Sequence, residues 1–251
     1  MIDTPIKNVS IIILAAGLGT RMKSDKAKVL HEIQGRPMIA HVLTAACDVA
    51  GNDVIVVVGH QAQRVKEACL KVKPVSFAFQ KEQKGTGHAV LCALSEIHET
   101  AQNIIILCGD VPLLKADTIR TLLADHVHEN RDLSLLAVEL EDPTGYGRVV
   151  VNTNRKLTRI VEEADATGDE KAISIVNSGI YCVSKDFLTV SLQQLRPDNV
   201  QGEFYLTDII QVGYAMGKHI GVLVGSNSEE VSGVNSIADL QTVESLMDAR
   251  R

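Results

Sequence analysis

The sequence predicts an α/β protein: a Rossmann-like, mostly parallel mixed sheet with helices on both faces and a small antiparallel lobe. Three observations carry this. Short β-branched runs alternate with stretches whose apolar residues fall at helical spacing through the first half of the chain. The runs are apolar at consecutive positions, as strands covered on both faces must be. Beyond residue 130 the alternation gives way to closely spaced runs joined by polar turns, the pattern of antiparallel additions.

The elements follow in order. Val9 to Leu14 is the first strand, halting at the small residues Ala15, Ala16 and Gly17. Pro37, suited to a first helical position, precedes a helix marked by Ile39, Val42, Leu43, Ala46, Val49 and Ala50. Asp53 to Val58 is the second strand, followed by a helix marked by Val65, Ala68, Cys69 and Val72. Val75 to Phe79, a helix over Ala89 to Ile97, Asn103 to Leu107, and a helix through Ile119, Leu122, Leu123 and Val127 complete four β-α units, which bury their strands only as a largely parallel sheet. Strands then follow at Leu133 to Leu140, Arg148 to Val151 and Leu157 to Val161, with helices returning near Asp186 and Leu206. Ile237 to Met247 has helical spacing, with Arg250 and Arg251 placed to suit a helix C-terminus. No low-complexity segment, Pro/Gly/Ser linker or internal repeat interrupts the 251 residues. The expected organisation is one domain over 1–236, with parts at about 1–130 and 131–236, and a C-terminal helix over 237–251.

Composition narrows the function. Hydrophobic residues make up 45% and charged residues 22%, values of a folding chain and not a disordered one. The net charge of −6 repels nucleic acid and anionic membranes, and eight aromatic residues with no tryptophan are too few for a base-stacking platform. The five cysteines are odd in number, widely spaced and free of metal-binding patterns, so they read as buried thiols of a cytoplasmic protein. The run from Val9 to Ala16 is too short to span a bilayer and no signal peptide is evident.

Chemistry gathers in the loop after the first strand. Gly17 and Gly19 let the backbone turn and bring N–H groups close to a phosphate, with Leu14, Ala15 and Ala16 leading in. Arg21, Lys23, Lys26 and Lys28 against Asp25 give a local charge of +3 in an acidic protein, the mark of an anion site. The loop is not a P-loop, because Met22 stands where glycine must precede Lys23 and Ser24. Nor is it a dinucleotide fingerprint: a third glycine is missing, and Val58-Gly59-His60 ends the second strand without an acidic residue. Gly109-Asp110, after the fourth strand, puts a carboxylate at the same sheet edge, either as a hard ligand for a cation beside a polyphosphate or as a cap on a helix after Pro112. Gln80 presents an amide donor and acceptor just past a strand, and Gly85 and Thr86 open a helix whose free N–H groups suit an anion; a surface amide and a helix cap are the alternatives.

Leu14-Ala-Ala-Gly-x-Gly-Thr-Arg-Met with a lysine beyond it resembles the signature of the sugar-1-phosphate nucleotidyltransferases. Downstream, Gln80-Lys-Glu-Gln-Lys-Gly85-Thr86-Gly-His-Ala, Gly109-Asp110-Val-Pro-Leu, Asp142-Pro-Thr-Gly-Tyr146-Gly147-Arg148, Ile160-Val-Glu162-Glu, Val176-Asn177-Ser-Gly, Gln201-Gly-Glu203-Phe-Tyr205-Leu-Thr207-Asp208 and Gly233-Val-Asn235 occur in order. Together they are similar to the uridylyltransferase (pyrophosphorylase) half of the bacterial bifunctional N-acetylglucosamine-1-phosphate uridyltransferases, over nearly the whole chain.

The resemblance implies nucleotidyl transfer from UTP to N-acetylglucosamine 1-phosphate, with Mg²⁺ as cofactor. Arg21 and Lys28 are then catalytic; Leu14, Ala15, Ala16, Gly17, Gln80, Gly85 and Thr86 bind the nucleotide; Asp110 and Asn235 hold the metal. Gly147, Glu162, Asn177, Tyr205 and Thr207 bind the sugar in the second lobe, although their residue types also suit hairpin turns and strand ends. Ala164 stands where the family often has lysine. His31 and His88 lie in the motifs as supporting residues. A sugar phosphate is already anionic near neutral pH, so the reaction needs positioning more than a base. The alternatives are a relative acting on another hexose 1-phosphate and a non-catalytic nucleotide-sugar binding protein. With no hexapeptide run, the chain is expected to lack an acetyltransferase domain and any use of acetyl-CoA, and to be a monomer or weak oligomer.

Overall fold

A computed structural model describes residues 8–249. Its centre is strand β1 (Val9–Ala15), flanked in parallel by β4 (Val54–Val58) on one side and β6 (Asn103–Cys108) on the other, with β5 (Ser76–Phe79) parallel to β4 at the edge. Between β1 and β4 the chain makes a two-residue ribbon, β2 (Glu32–Ile33) against β3 (Arg36–Pro37), and helix α1 (Met38–Ala50). Helices α2 (Ala62–Leu70), α3 (Thr86–Ala93) and α4 (Ala116–His128) follow β4, β5 and β6, as the four β-α units require. Pro37 stands just before α1 instead of opening it, because its residue pairs with Glu32 in the ribbon.

The second half extends the sheet from β6. Strand β10 (Ile175–Ser184) runs antiparallel to β6 and to β7 (Leu133–Glu139), and β11 (Ile220–Gly225) runs parallel to β7 at the far edge. The order across the sheet is β11-β7-β10-β6-β1-β4-β5. A hairpin of β8 (Arg148–Val151) and β9 (Leu157–Val161), the expected antiparallel addition, hangs on β10 through Val176. The remaining helices are α5 (Gly168–Lys171), α6 (Lys185–Leu192), α7 (Asp208–Ala215) and α8 (Ile237–Ala249). Arg250 and Arg251, expected at the last helix's C-terminus, lie outside the described residues.

Alternation along β1 shows why Ile11 to Leu14 is apolar at every position. Ile11 and Ile13 join the layer formed by α1, α2 and α4, whereas Ile12 joins α3, α6 and α7 on the opposite face. All three are fully buried, each stabilising by roughly 1.5–3 kcal/mol relative to exposure. A third cluster, Ile33, Met38, Leu113, Val234 and Val243, docks α8 beside the β2–β3 ribbon. Cys47, Cys69 and Cys182 are buried as expected; Cys92 and Cys108 are only partly so. Burial pushes the Cys69 thiol up to about 12, consistent with an inert packing residue. Among the described residues no helix is long and apolar enough to cross a membrane.

Candidate active site

Parallel register places the ends of β1, β4, β5 and β6 on one edge: Ala15 faces Val58, Leu14 faces Cys108, and Val58 faces Phe79. A cleft of about 470 Å³ opens there, lined by Leu14, Ala15, Ala16, Gly17, Arg21, Lys28, Gln80, Gly85, Thr86, Asp110 and Asn235 among others. Every residue assigned to nucleotide, metal or catalysis in the sequence therefore shares one cavity, at the strand ends where open α/β sheets hold ligands.

The first loop is built for close approach. A Cβ on Gly17 would meet nothing within 4 Å, so the backbone faces open space. Gly19 has φ 65°, and a Cβ there would lie 2.6 Å from Cβ of Lys28, so this residue lets the loop fold onto the lysine. The loop is tied down by buried Met22 and by His60 N–H donating to the Ala16 carbonyl at 3.2 Å. Of the four basic residues giving the loop its charge, Arg21 and Lys28 line the cleft and Lys23 and Lys26 do not; Lys26 pairs with Glu32 at 3.4 Å.

Asp110 and Asn235 are 125 positions apart in sequence and converge on Lys28. The Lys28 ammonium bonds the Asp110 carboxylate and donates to Asn235 Oδ1 at 2.6 Å, and Arg21 donates to that same oxygen at 2.8 Å. Helix α8 presents Asn235: the Asp239 carboxylate accepts from the N–H groups of Asn235 and Ser236, both at 2.8 Å, and Ser236 Oγ accepts from Asp239 N–H at 3.2 Å, a capping box. Val234 N–H donates to the Asp110 carbonyl at 2.9 Å and joins the two segments. Asp110 does not cap a helix, since α4 starts only at Ala116 after Lys115. Two hard oxygens aimed at one point suit Mg²⁺, which takes few protein ligands and completes its shell with water and phosphate. Among the described residues no group of three or more His, Cys, Asp or Glu side chains could hold a metal by itself.

Across the cleft, buried Gln80 donates from Nε2 to the Gly85 carbonyl and to His88 Nδ1, both at 3.0 Å. The Gln80 amide plane is thereby fixed, with His88 as one of its two anchors. Gly85, not Thr86, stands at the cap position of α3, and Thr86 Oγ1 instead accepts from Leu206 N–H at 3.0 Å.

The expected sugar residues form a second group. Asn177 N–H donates to the Gly147 carbonyl at 2.8 Å, Asn177 Oδ1 accepts from Tyr181 OH at 2.9 Å, and Thr207 Oγ1 donates to Glu162 at 3.2 Å. A Cβ on Gly147 would lie 3.2 Å from the Glu162 carboxylate. Burial pushes the Glu162 carboxyl up from the usual range, partly offset by the Thr207 hydroxyl. Tyr205 is likewise raised, by burial and by the charges of Asp165 and Glu162. None of these five residues lines the nucleotide cleft; Glu162 and Tyr205 line a separate cavity of about 580 Å³. Cys108 also lines the cleft, and its thiol donates to the Gly179 carbonyl at 3.6 Å.

Cys108, Gln83 and Glu203 line the cleft without having been singled out in the sequence, although Cys108 directly precedes Gly109-Asp110 at a strand end and Glu203 lies inside a quoted motif.

Residues 11–179 match the family described as the MobA-like NTP transferase domain. Among curated proteins, the chain is 40% identical over 245 residues to the bifunctional protein GlmU of Geotalea uraniireducens, covering 98% of this chain and 54% of that one. It is 44% identical over 239 residues to the GlmU protein of Caldanaerobacter subterraneus, covering 95% and 51%. The GlmU protein of Desulfotalea psychrophila is 42% identical, with 97% and 71% covered. The chain thus spans about half the length of the first two of these relatives. Solved structures share the fold: a CMP:2-keto-3-deoxy-manno-octonic acid synthetase complexed with CTP superposes at TM-score 0.73, 21% identity and coverage of 98% and 100%. HddC from Yersinia pseudotuberculosis superposes at TM-score 0.70, 21% identity and coverage of 95% and 99%. With the cleft at the strand ends and these matches over most of its length, the chain belongs to the MobA-like NTP transferase family and is similar over nearly all of its length to part of the GlmU proteins.

Proposed function

We propose that the chain transfers a uridylyl group from UTP to N-acetylglucosamine 1-phosphate, giving UDP-N-acetylglucosamine and pyrophosphate. The observation that carries this reading is the convergence of Arg21, Lys28, Asp110 and Asn235 on one cleft beside an open glycine loop. The sugar phosphate oxygen attacks the α-phosphorus in line, and the bond to the pyrophosphate oxygen breaks. Arg21 and the N–H groups of the Gly17 loop compensate charge on the departing pyrophosphate, and Lys28 does so on the transferring phosphoryl. Asp110 and Asn235 would hold Mg²⁺, which when bound supplies further charge neutralisation between phosphoryl groups. Gln80 Oε1 accepts from N3–H of uracil, a donor that cytosine lacks. Gly147, Glu162, Asn177, Tyr205 and Thr207 supply the carboxylate, amide and hydroxyl partners of the sugar.

Pyrophosphate release from UTP over a panel of sugar 1-phosphates tests the assignment. The highest kcat/KM is expected with N-acetylglucosamine 1-phosphate. Preference for another hexose phosphate would overturn the substrate, and tight nucleotide-sugar binding without turnover would overturn the reaction.

A further inference from the structure

The Lys28 ammonium occupies the point on which the two candidate cation ligands converge. It bonds the Asp110 carboxylate and donates to Asn235 Oδ1 at 2.6 Å, with side chains of Lys28 and Asp110 only 16% and 21% exposed. The backbones that carry both oxygens are tied in place. Asn235 is pinned by the Asp239 capping box, and the Asp110 backbone is tied to Val234. The lysine backbone is equally confined, since Gly19 leaves no room between the loop and Lys28 Cβ. Of the three side chains, the lysine has the longest and most flexible stem, so its charged end is the group best able to swing away.

Charge decides when it moves. Arg21, Lys28 and Asp110 together carry +1, and Asn235 adds none. A divalent cation entering beside both basic side chains raises this to +3 in a partly buried site, which is unfavourable. A triphosphate reverses the balance and offers the ammonium stronger acceptors than one carboxylate and one amide.

We infer that Lys28 is the resident counter-ion of the cation site, and that a divalent cation gains Asp110 and Asn235 only when a polyphosphate draws the Lys28 ammonium away. The inference rests on the proposed cation site and adds to it a coupled order of loading, in which the metal-first route is closed by this side chain. Removing the lysine charge should therefore act with opposite signs on the two ligands, tightening the cation in the nucleotide-free protein and weakening the triphosphate. A merely structural role would weaken both or neither.

The test is titration of the nucleotide-free chain with Mn²⁺, read by the electron paramagnetic resonance of free Mn²⁺, for wild type, Lys28→Met and the double variant Lys28→Met/Asp110→Asn. Lys28→Met is expected to bind one Mn²⁺ at least tenfold more tightly than wild type, the double variant to lose that gain, and UTP to bind Lys28→Met at least tenfold more weakly. Equal Mn²⁺ affinity in wild type and Lys28→Met, abolished by Asp110→Asn, would overturn the gate while leaving the cation site standing. Mn²⁺ binding indifferent to Asp110→Asn, with and without UTP, would overturn both. A wild-type measurement covers a variant that fails to fold. Crystals soaked in Mn²⁺ should show an anomalous peak between Asp110 and Asn235 only when UTP is present; a peak without UTP overturns the gate, and a peak in neither soak overturns the site as well.

Discussion

Gly85→Ala should be far more damaging than the loss of one hydrogen atom suggests. Gly85 has φ 102° and ψ 174°, a region that side chains avoid, and holding alanine there costs roughly 1–3 kcal/mol. The added Cβ would also lie 2.6 Å from the Phe204 carbonyl oxygen, 2.9 Å from Phe204 N and 2.9 Å from Cβ of Glu203, so the 203–206 backbone must withdraw. Three bonds tie that backbone to residues 84–87: Gly87 N–H to the Phe204 carbonyl at 2.8 Å, Phe204 N–H to the Lys84 carbonyl at 2.9 Å, and Leu206 N–H to Thr86 Oγ1 at 3.0 Å. At about 1 kcal/mol each, weakening them brings the expected total to roughly 2–5 kcal/mol. The control is Gly168→Ala, at a first helical position where a Cβ meets nothing within 4 Å and no positive φ is recorded. Both changes restrict the unfolded chain alike, so their difference isolates strain in the folded state. Urea denaturation of the two variants measures it. Because the displaced segment carries Glu203 and Tyr205 and leads into Thr207, KM for the sugar phosphate should rise as well. A Gly85→Ala midpoint equivalent to within about 0.5 kcal/mol of Gly168→Ala would show that this segment does not depend on the bare backbone at residue 85.

Other expected outcomes follow from side chains already placed. Arg21→Ala should lower kcat by about 10²–10³ with a smaller change in sugar phosphate binding, since it removes one oriented donor from the leaving group; near-normal turnover would take the loop out of the mechanism. Gln80→Ala should narrow the ratio of kcat/KM for UTP over CTP, and an unchanged ratio would refute base selection by its amide oxygen. His126 is buried, with its Nδ1 3.0 Å from Ser134 Oγ, and burial together with Arg131 lowers its pKa to about 4. Its contribution to stability is therefore complete above pH 6.5 and is lost as pH falls toward 4, by up to about 3 kcal/mol. Denaturation midpoints across that range should slope less in His126→Gln; parallel slopes would assign the acid sensitivity elsewhere.

The parallel half of the sheet was legible because β1, β4 and β6 each carry four or more consecutive apolar residues, which a parallel sheet covered on both faces buries. Strand β10, which lies between β6 and β7, was hidden. Its residues Asn177, Ser178 and Gly179 break the apolar run, and in the structure they form an irregularity where the register shifts between Asn177 and Ile180. Strand β11 was hidden for a related reason, since Gly221 and Gly225 interrupt its pattern; a Cβ on Gly221 would meet the Arg131 side chain at 2.4 Å. In the site, Lys28, Asp110 and Asn235 could be named from motifs, but not the bonds joining them, because such contacts depend on how α8 docks. That the five expected sugar residues do not line the strand-edge cleft was equally invisible, since spacing along a chain does not say which cavity a side chain faces.

The bonds from Asn235 reach back 214 residues to Arg21 and 207 to Lys28. During synthesis the glycine loop leaves the ribosome early, whereas its amide partner is added roughly 10–40 seconds later at about 5–20 residues per second. Throughout that interval the nascent chain holds the basic half of the proposed polyphosphate site without the oxygen that Arg21 and Lys28 share in the finished fold. Docking of the segment before α8 is thus the event that completes the centre, and a ribosome-bound chain halted before residue 235 has none to use.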